Sequence, residues 1–320
     1  MNKPLEPYKA AFSVNGEILY STSSIAYHLG RLSVTDAHVY DNVDALNSTK
    51  SVAALLGLEA TPSQYRGLLR GEALPSCPQI ASIYRLYSGL LKFNPYDENS
   101  LRKIEEVFFP HGVPNRMSRK LDDFPYPLPM HKKIEALIKG LFRFSSGNVK
   151  SMNPITIGCA FAFVFQAIAP YSSSNLPIAL FYFHAYLSSY SKSLAHLNLF
   201  KVYLTHKEEI DASYAKSAET ADMGAYLLCW MKLLDKGVNS LLTRSVKGNG
   251  KTTALVEKLL SKMEPDRPYS AEELCRLMGL KSRLGLQKNY LRQGLEAKVL
   301  FMTNPLVPTD RNQRYYKKGE

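Results

Sequence analysis

The residues of this chain best placed to do chemistry form one polar turn, Ala169-Pro170-Tyr171-Ser172-Ser173-Ser174-Asn175-Leu176-Pro177, set between two apolar runs. Hydroxyls and an amide at the start of a helix suit an anion, because the first helical amides lack intrahelical acceptors and sit at the positive end of the dipole. Ser172, Ser173, Ser174 and Asn175 are therefore the candidate anion or nucleotide contacts. The turn contains no carboxylate, imidazole or cation, so it offers neither a general base nor a metal ligand.

A second set lies toward the C-terminus. Between residues 244 and 320, sixteen Lys/Arg face eight Asp/Glu, an excess of eight within a net charge of +12. Such an excess favours a polyanion as partner. Arg283, Gln287, Lys288 and Arg292 fall on one predicted helix, 282 to 297, and Arg311 and Arg314 on the strand region after it; their side chains suit phosphates and base edges. The apolar positions Leu284, Leu286, Leu291 and Leu295 are expected to pack inward. Two other patterns carry less. Lys247-Gly248-Asn249-Gly250-Lys251-Thr252 echoes a phosphate loop, but that motif needs glycine where Ser245 stands and an apolar strand before it. The seven histidines are scattered without ligand spacing, so no metal is expected.

The elements that must position these groups are mostly helices. Gly57 closes a predicted helix from 44 to 56, Thr61-Pro62 opens one ending at Gly71, and Pro78 opens another reaching about 91. Helices follow at about 98 to 107, 130 to 144, 154 to 168, 177 to 190, 206 to 218 and 219 to 242. Residues 110 to 129 carry five prolines and read as loop or short hairpin. The run 155 to 168 is apolar almost throughout, yet its 14 residues are fewer than the roughly 20 that span a bilayer. It is expected at the centre of a bundle. After a predicted linker at 245 to 250 come three helices (251 to 263, 271 to 278, 282 to 297) and strands at 299 to 303 and 312 to 316, the order of a winged helix.

Composition sets outer bounds. With 320 residues and 45% apolar content the chain builds two or three compact units and is neither disordered nor collagenous. Cys77, Cys159, Cys229 and Cys275 are widely spaced with no Cys-x-x-Cys pair, which argues against disulfides and zinc and predicts buried thiols in the cytoplasm. Residues 1 to 11 carry charges and two prolines, so no secretory leader and no membrane partner are expected.

The buried helix, polar turn and second buried helix resemble the core of the Fic (Fido) family, whose loop reads His-Pro-Phe-x-Asp/Glu-Gly-Asn-Gly-Arg and transfers AMP from ATP to a protein hydroxyl. The resemblance extends to Leu91-Lys92-Phe93-Asn94-Pro95-Tyr96 and to Leu280-Lys281-Ser282-Arg283 with Lys288-Asn289-Tyr290-Leu291, as in bacterial Fic proteins with a winged-helix tail. In register, Ala169 stands for the basic histidine, Ser173 for the magnesium-binding acid, Ser174-Asn175-Leu176 for Gly-Asn-Gly and Pro177 for the phosphate-clamping arginine. Only Pro170, Asn175 and, conservatively, Tyr171 keep the pattern. An inhibitory helix motif of the family would align with 52 to 57, placing Leu56 where a glutamate pairs with that arginine.

The resemblance implies a mainly α Fic-like helical bundle with a small flap hairpin plus a C-terminal winged helix. The expected division is an N-terminal helical region (1 to 100), a Fic-like core (101 to 244) and a winged-helix domain (250 to 320). It implies a degenerate AMP transferase without cofactor that regulates or interacts, binding duplex DNA through the tail. The alternative is a nucleotide-binding enzyme using ATP and magnesium for an altered transfer. A third reading has a protein partner held by the flap region, 111 to 123, through strand addition.

Overall fold

The computed structural model describes residues 15–34, 40–114, 134–248, 253–280, 282–297, 299–305, 307 and 310–317. They belong to two structural units, a larger one ending at Asn239 and a smaller one beginning at Ser240.

The larger unit is built from α1 (Gly16–Val34), α2 (Asn42–Leu56), α3 (Pro62–Leu69), α4 (Pro78–Ser88), α5 (Ser100–Phe108), α6 (Ile134–Gly147), α7 (Pro154–Ile168), α8 (Asn175–Tyr190), α9 (Leu199–Thr205), α10 (Lys207–Thr220) and most of α11 (Gly224–Gly248). Short 3₁₀ turns occupy Leu90–Lys92 and Lys192–His196. The helix starts follow from local chemistry. Asp41 and Thr61 form capping boxes with Asp44 and Gln64, Pro62 sits in the first turn of α3, and Gly57 ends α2 in the left-handed region at φ 67°. Asn153 opens α7 by accepting from the Ile155 N–H at 2.8 Å, with Pro154 at the first helical position.

α7 and α8 form the centre. Residues 155 to 165 and 177 to 188 are buried without a break, as helices apolar on every side must be. Their axes approach closely at Gly158, where a Cβ would lie 2.8 Å from the Tyr186 Cβ and 2.9 Å from Phe183. Aromatic rings fill the surround. Phe161 meets Tyr182 at 4.8 Å and Phe142 at 5.2 Å, and Trp230 of α11 stands edge-on to Phe183 at 5.2 Å. Each such pair adds about 0.5–1.5 kcal/mol beyond area burial. α1, unforeseen in the sequence, is tied to α11 by Ser24 and His28, whose side chains reach Asp235 at 3.0 and 2.9 Å.

The smaller unit follows with α12 (Ala254–Lys262), β1 (Tyr269–Ser270), α13 (Ala271–Met278), a helical stretch made of α14 (Arg283–Leu286), a π turn (Gln287–Leu291) and α15 (Arg292–Glu296), then β2 (Phe301–Met302) and β3 (Arg314–Tyr316). The sheet runs β1-β3-β2, antiparallel throughout, with Tyr315 opposite both Tyr269 and Met302. Leu259, Met263, Leu274, Leu286, Leu291 and Leu300 form its core. The architecture is mainly helical with one small sheet, as the sequence implies.

Several expectations are corrected. α11 runs to Gly248, through the first residues predicted as linker, because Ser and Gly at a helix end weaken helix without forbidding it. Leu284 is 72% exposed rather than inward. A regular helix counted back from Leu291 and Leu295 would bury it, but the π turn inserts an extra residue, and Leu286, Tyr290, Leu291 and Gly294 become the buried set. Cys159 and Cys229 are buried, whereas Cys77 and Cys275 are half-buried; all four are free thiols. Of the predicted loop or flap hairpin, 110 to 129, all but 110 to 114 lies outside the described residues. No described helix is long and apolar enough to cross a membrane.

Candidate functional site

The polar turn is framed by two left-handed residues that are not glycine. Ala169 ends α7 at φ 42°, its N–H donating to the Phe165 carbonyl at 3.0 Å, and Ser174 precedes α8 at φ 61°. An L-residue in this region costs roughly 1–2 kcal/mol, so the surrounding contacts must hold the turn in shape. Asn175 supplies two of them. Its Oδ1 accepts from the Tyr171 N–H at 3.1 Å, and its Nδ2 donates to the Tyr171 carbonyl at 2.7 Å. The asparagine thus closes the turn on itself.

Below it, Tyr171 is buried, packs on Phe109 at 4.9 Å and donates its phenol to the Glu105 carboxylate of α5. Nothing in the sequence marked Glu105, which reads as one more polar residue on an amphipathic helix. Nearby Tyr182 has its phenol pushed well above the usual range by burial, despite a 2.7 Å hydrogen bond with Ser100.

Ser173, Ser174, Leu176 and Pro177 line a cleft of about 600 Å³ shared with Leu55, Leu56, Leu58, Gln79, Phe108, Phe109, Pro110, His111 and Gly112. That volume is in the range of small-molecule sites. The structure brings together the two regions singled out in the sequence, since Leu56 and Pro177 line the same cleft. No Lys, Arg, Asp or Glu is among its described lining residues, and the one ionisable side chain there is His111. Ser172 and Ser173 are exposed, whereas Pro170 and Pro177 are buried. Pro177, third in α8, has no N–H, so that end of the helix presents one amide fewer than an ordinary helix start. Gln79 donates its amide to the Val107 and Phe108 carbonyls, which fixes the far wall. Among the described residues no cluster of three or more His, Cys, Asp or Glu could hold a metal.

In the smaller unit, Arg283, Gln287, Lys288 and Arg292 share the exposed side of the helical stretch. Arg311 is exposed in the turn before β3, and Arg314 lies on β3 itself. Three of these cations have acidic neighbours. Arg283 pairs with Glu272, Arg292 with Glu296 at 2.9 Å and Arg314 with Glu273 at 3.6 Å. The Ser270 N–H holds the Glu273 carboxyl below its usual range, with Arg314 adding to the effect. Such exposed pairs are weak and can be exchanged for a phosphate.

The comparisons with known proteins bear on both units. Residues 254–316 match the family model described as "Filamentation induced by cAMP protein Fic-like, C-terminal domain". The whole chain resembles the crystal structure of a Fic family protein from Desulfovibrio desulfuricans G20, with a TM-score of 0.62 and 17% identity, over 98% of this chain and 99% of that one. At that identity the likeness shows a shared Fic-like helical fold. The family model thus speaks for residues 254–316, and the structural likeness for the fold of the whole chain. Among curated proteins, none matches the chain in sequence.

Proposed function

We propose that this chain is a Fic-fold protein that does not transfer AMP, and that it acts as a regulatory or interaction protein whose smaller unit, read as a winged helix, contacts duplex DNA. The make-up of the cleft supports the first half. Phosphoryl and nucleotidyl transfer depend on positioning and on charge stabilisation. In the register of the resemblance, Ala169, Ser173 and Pro177 replace base, metal ligand and clamp, and the cleft's described lining holds neither carboxylate nor permanent cation. Leu56 in the same cleft as Pro177 is consistent with joint loss of an inhibitory glutamate and its arginine, since either one alone would be an unpaired charge there.

The test is incubation of the purified chain with ATP and magnesium, alone and with lysate. No AMP label is expected on any protein. Ala169→His alone stays inactive, because the phosphates still lack metal and clamp. Labelling that disappears on changes within 169 to 177 would sink the reading.

The alternative enzyme reading draws on His111, an imidazole in the same cleft as Ser173 and Ser174 and a group able to move a proton. In that case ATP and magnesium bind, with Ser172, Ser173, Ser174 and Asn175 as the contacts, and calorimetric titration of the chain with ATP and magnesium gives measurable heat.

The second half draws on the charge excess after residue 244 and on the exposed side of the 283–296 stretch. Binding of the full chain to duplex DNA should be weak and fall steeply with salt, because phosphate contacts release counterions. Arg283→Ala and Lys288→Ala should each weaken it and reduce the salt slope by about one unit. Loss of Arg283 also leaves Glu272 facing the phosphates. Binding unmoved by both changes would shift the assignment toward a protein partner, the reading that uses the region 111 to 123.

A further inference from the structure

We infer that α1 is a self-association face, through which two copies of the chain pair antiparallel about a two-fold axis. One side of α1 is committed to the fold, with Ile18, Ile25 and Leu32 between 0% and 5% exposed. The opposite side carries Leu19 at 59%, Tyr20 at 75% and Tyr27 at 61% exposure. Large apolar groups gathered along one side of a helix mark a contact surface, whereas scattered ones need no explanation. These are gathered, and they repeat every seven residues: Tyr20 and Tyr27 form one row, and Gly16, Ser23 and Gly30 form the row beside it. A seven-residue repeat keeps one stripe facing a partner helix, and small residues in it let two backbones come close.

The charges identify the partner. From 18 to 30 the helix carries no Asp, Glu, Lys or Arg; Glu17 stands just before this span and Arg31 just after it. Both are exposed and lie on the same flank of the stripe. In an antiparallel pair crossing at Ser23, Tyr20 of one copy lies beside Ala26 and Tyr27 of the other, and Gly16 beside Gly30. Glu17 then comes within about 3 Å, along the axis, of the level of Arg31 of the second copy, on one flank and within reach of two long side chains, and the contact is made twice. That is the self-complementarity a two-fold interface requires. A parallel pair would leave Glu17 of one copy about 21 Å along the axis from Arg31 of the other, with no contact between them. Among the described residues Glu17 pairs with exposed Lys232 at 3.3 Å, and Arg31 lies over the Tyr27 ring at 5.7 Å; both side chains can reorient outward.

The helix is about 28 Å long, so one helix pair buries less than the roughly 1,200 Å² at which stable interfaces begin. The association is therefore weak and reversible. Sedimentation velocity of the full chain, over a series reaching on the order of 100 µM, should show a monomer–dimer equilibrium. Tyr20→Glu, at a side chain the fold does not bury, should leave a monomer. Glu17→Arg and Arg31→Glu should each weaken the dimer about threefold to tenfold, and the double exchange should restore it. A monomer at every concentration overturns the inference. So does a dimer that is indifferent to Tyr20→Glu, or one that the double exchange fails to restore.

Discussion

Asn175→Asp separates two accounts of the polar turn because they predict opposite signs. If the residue matters as the first position of α8, a carboxylate there meets the positive end of the helix and adds about 0.3–1 kcal/mol of stability. If it matters as the bridge to Tyr171, the change removes the donor that lies 2.7 Å from the Tyr171 carbonyl and sets two oxygens against each other. A lost hydrogen bond costs about 1 kcal/mol and an unsatisfied partly buried carbonyl about 1–3 kcal/mol, so the bridge outweighs the dipole. The net loss should be about 1–3 kcal/mol, or about 2–4 °C per kcal/mol for a unit of this size. Asn175→Ala loses both bonds, whereas Asn175→Asp keeps the acceptor for the Tyr171 N–H, so Asn175→Ala should also be less stable than the parent, by about 1–3 kcal/mol. Calorimetric unfolding at neutral pH measures all three. Acidification supplies a second check, since a protonated carboxyl can donate again and the deficit against the parent should shrink. A more stable Asn175→Asp variant would refute the bridge.

Gly158→Ala should destabilise the larger unit by about 1–3 kcal/mol in denaturant titration, although alanine is the better helix former by about 1 kcal/mol, because its methyl meets the fixed Tyr186 Cβ at 2.8 Å. A neutral result would mean that α7 and α8 can slide apart. His184 is fully buried, its Nε2–H donates to the Ala195 carbonyl at 3.1 Å, and burial lowers its pKa to about 4. The folded value is below the unfolded one, so its contribution is complete above about pH 6.5 and is lost as pH falls toward 4, to the extent of roughly 3 kcal/mol. His184→Gln should flatten the acid limb of a stability–pH curve, and an unchanged limb would remove His184 from the account. Alkylation followed by mass spectrometry should modify half-buried Cys77 and Cys275 first; buried Cys159, whose thiol burial pushes well up, should react only on unfolding.

What could be read from the sequence was whatever has a local cause. The stop at Gly57, the start at Thr61-Pro62 and the unbroken apolar runs located α2, α3, α7 and α8, and the turn between the last two was found with its end two residues late, because Asn175 and Leu176 already belong to α8. α1 escaped because its buried positions are few and alternate with serines, so its period is faint without the helices it packs on. Leu284 was assigned inward from residue type, which cannot foresee a π turn. At the site, Leu56 and Pro177 were singled out separately, and their common cleft follows only from tertiary packing. The Tyr171–Glu105 contact joins residues 66 apart in sequence and left no local trace.

The setting of Trp230 has an optical consequence. It is the chain's single tryptophan, fully buried in the larger unit with Phe183 and Tyr226 rings at 5.2 and 6.3 Å. Its emission therefore reports on the larger unit alone, starting from a water-free environment and moving to longer wavelength when that core opens. The smaller unit is silent at this wavelength, with only tyrosines to contribute. Melting of the helical core can thus be followed by colour in the intact chain while circular dichroism records both units, and a gap between the two curves measures how independently they unfold.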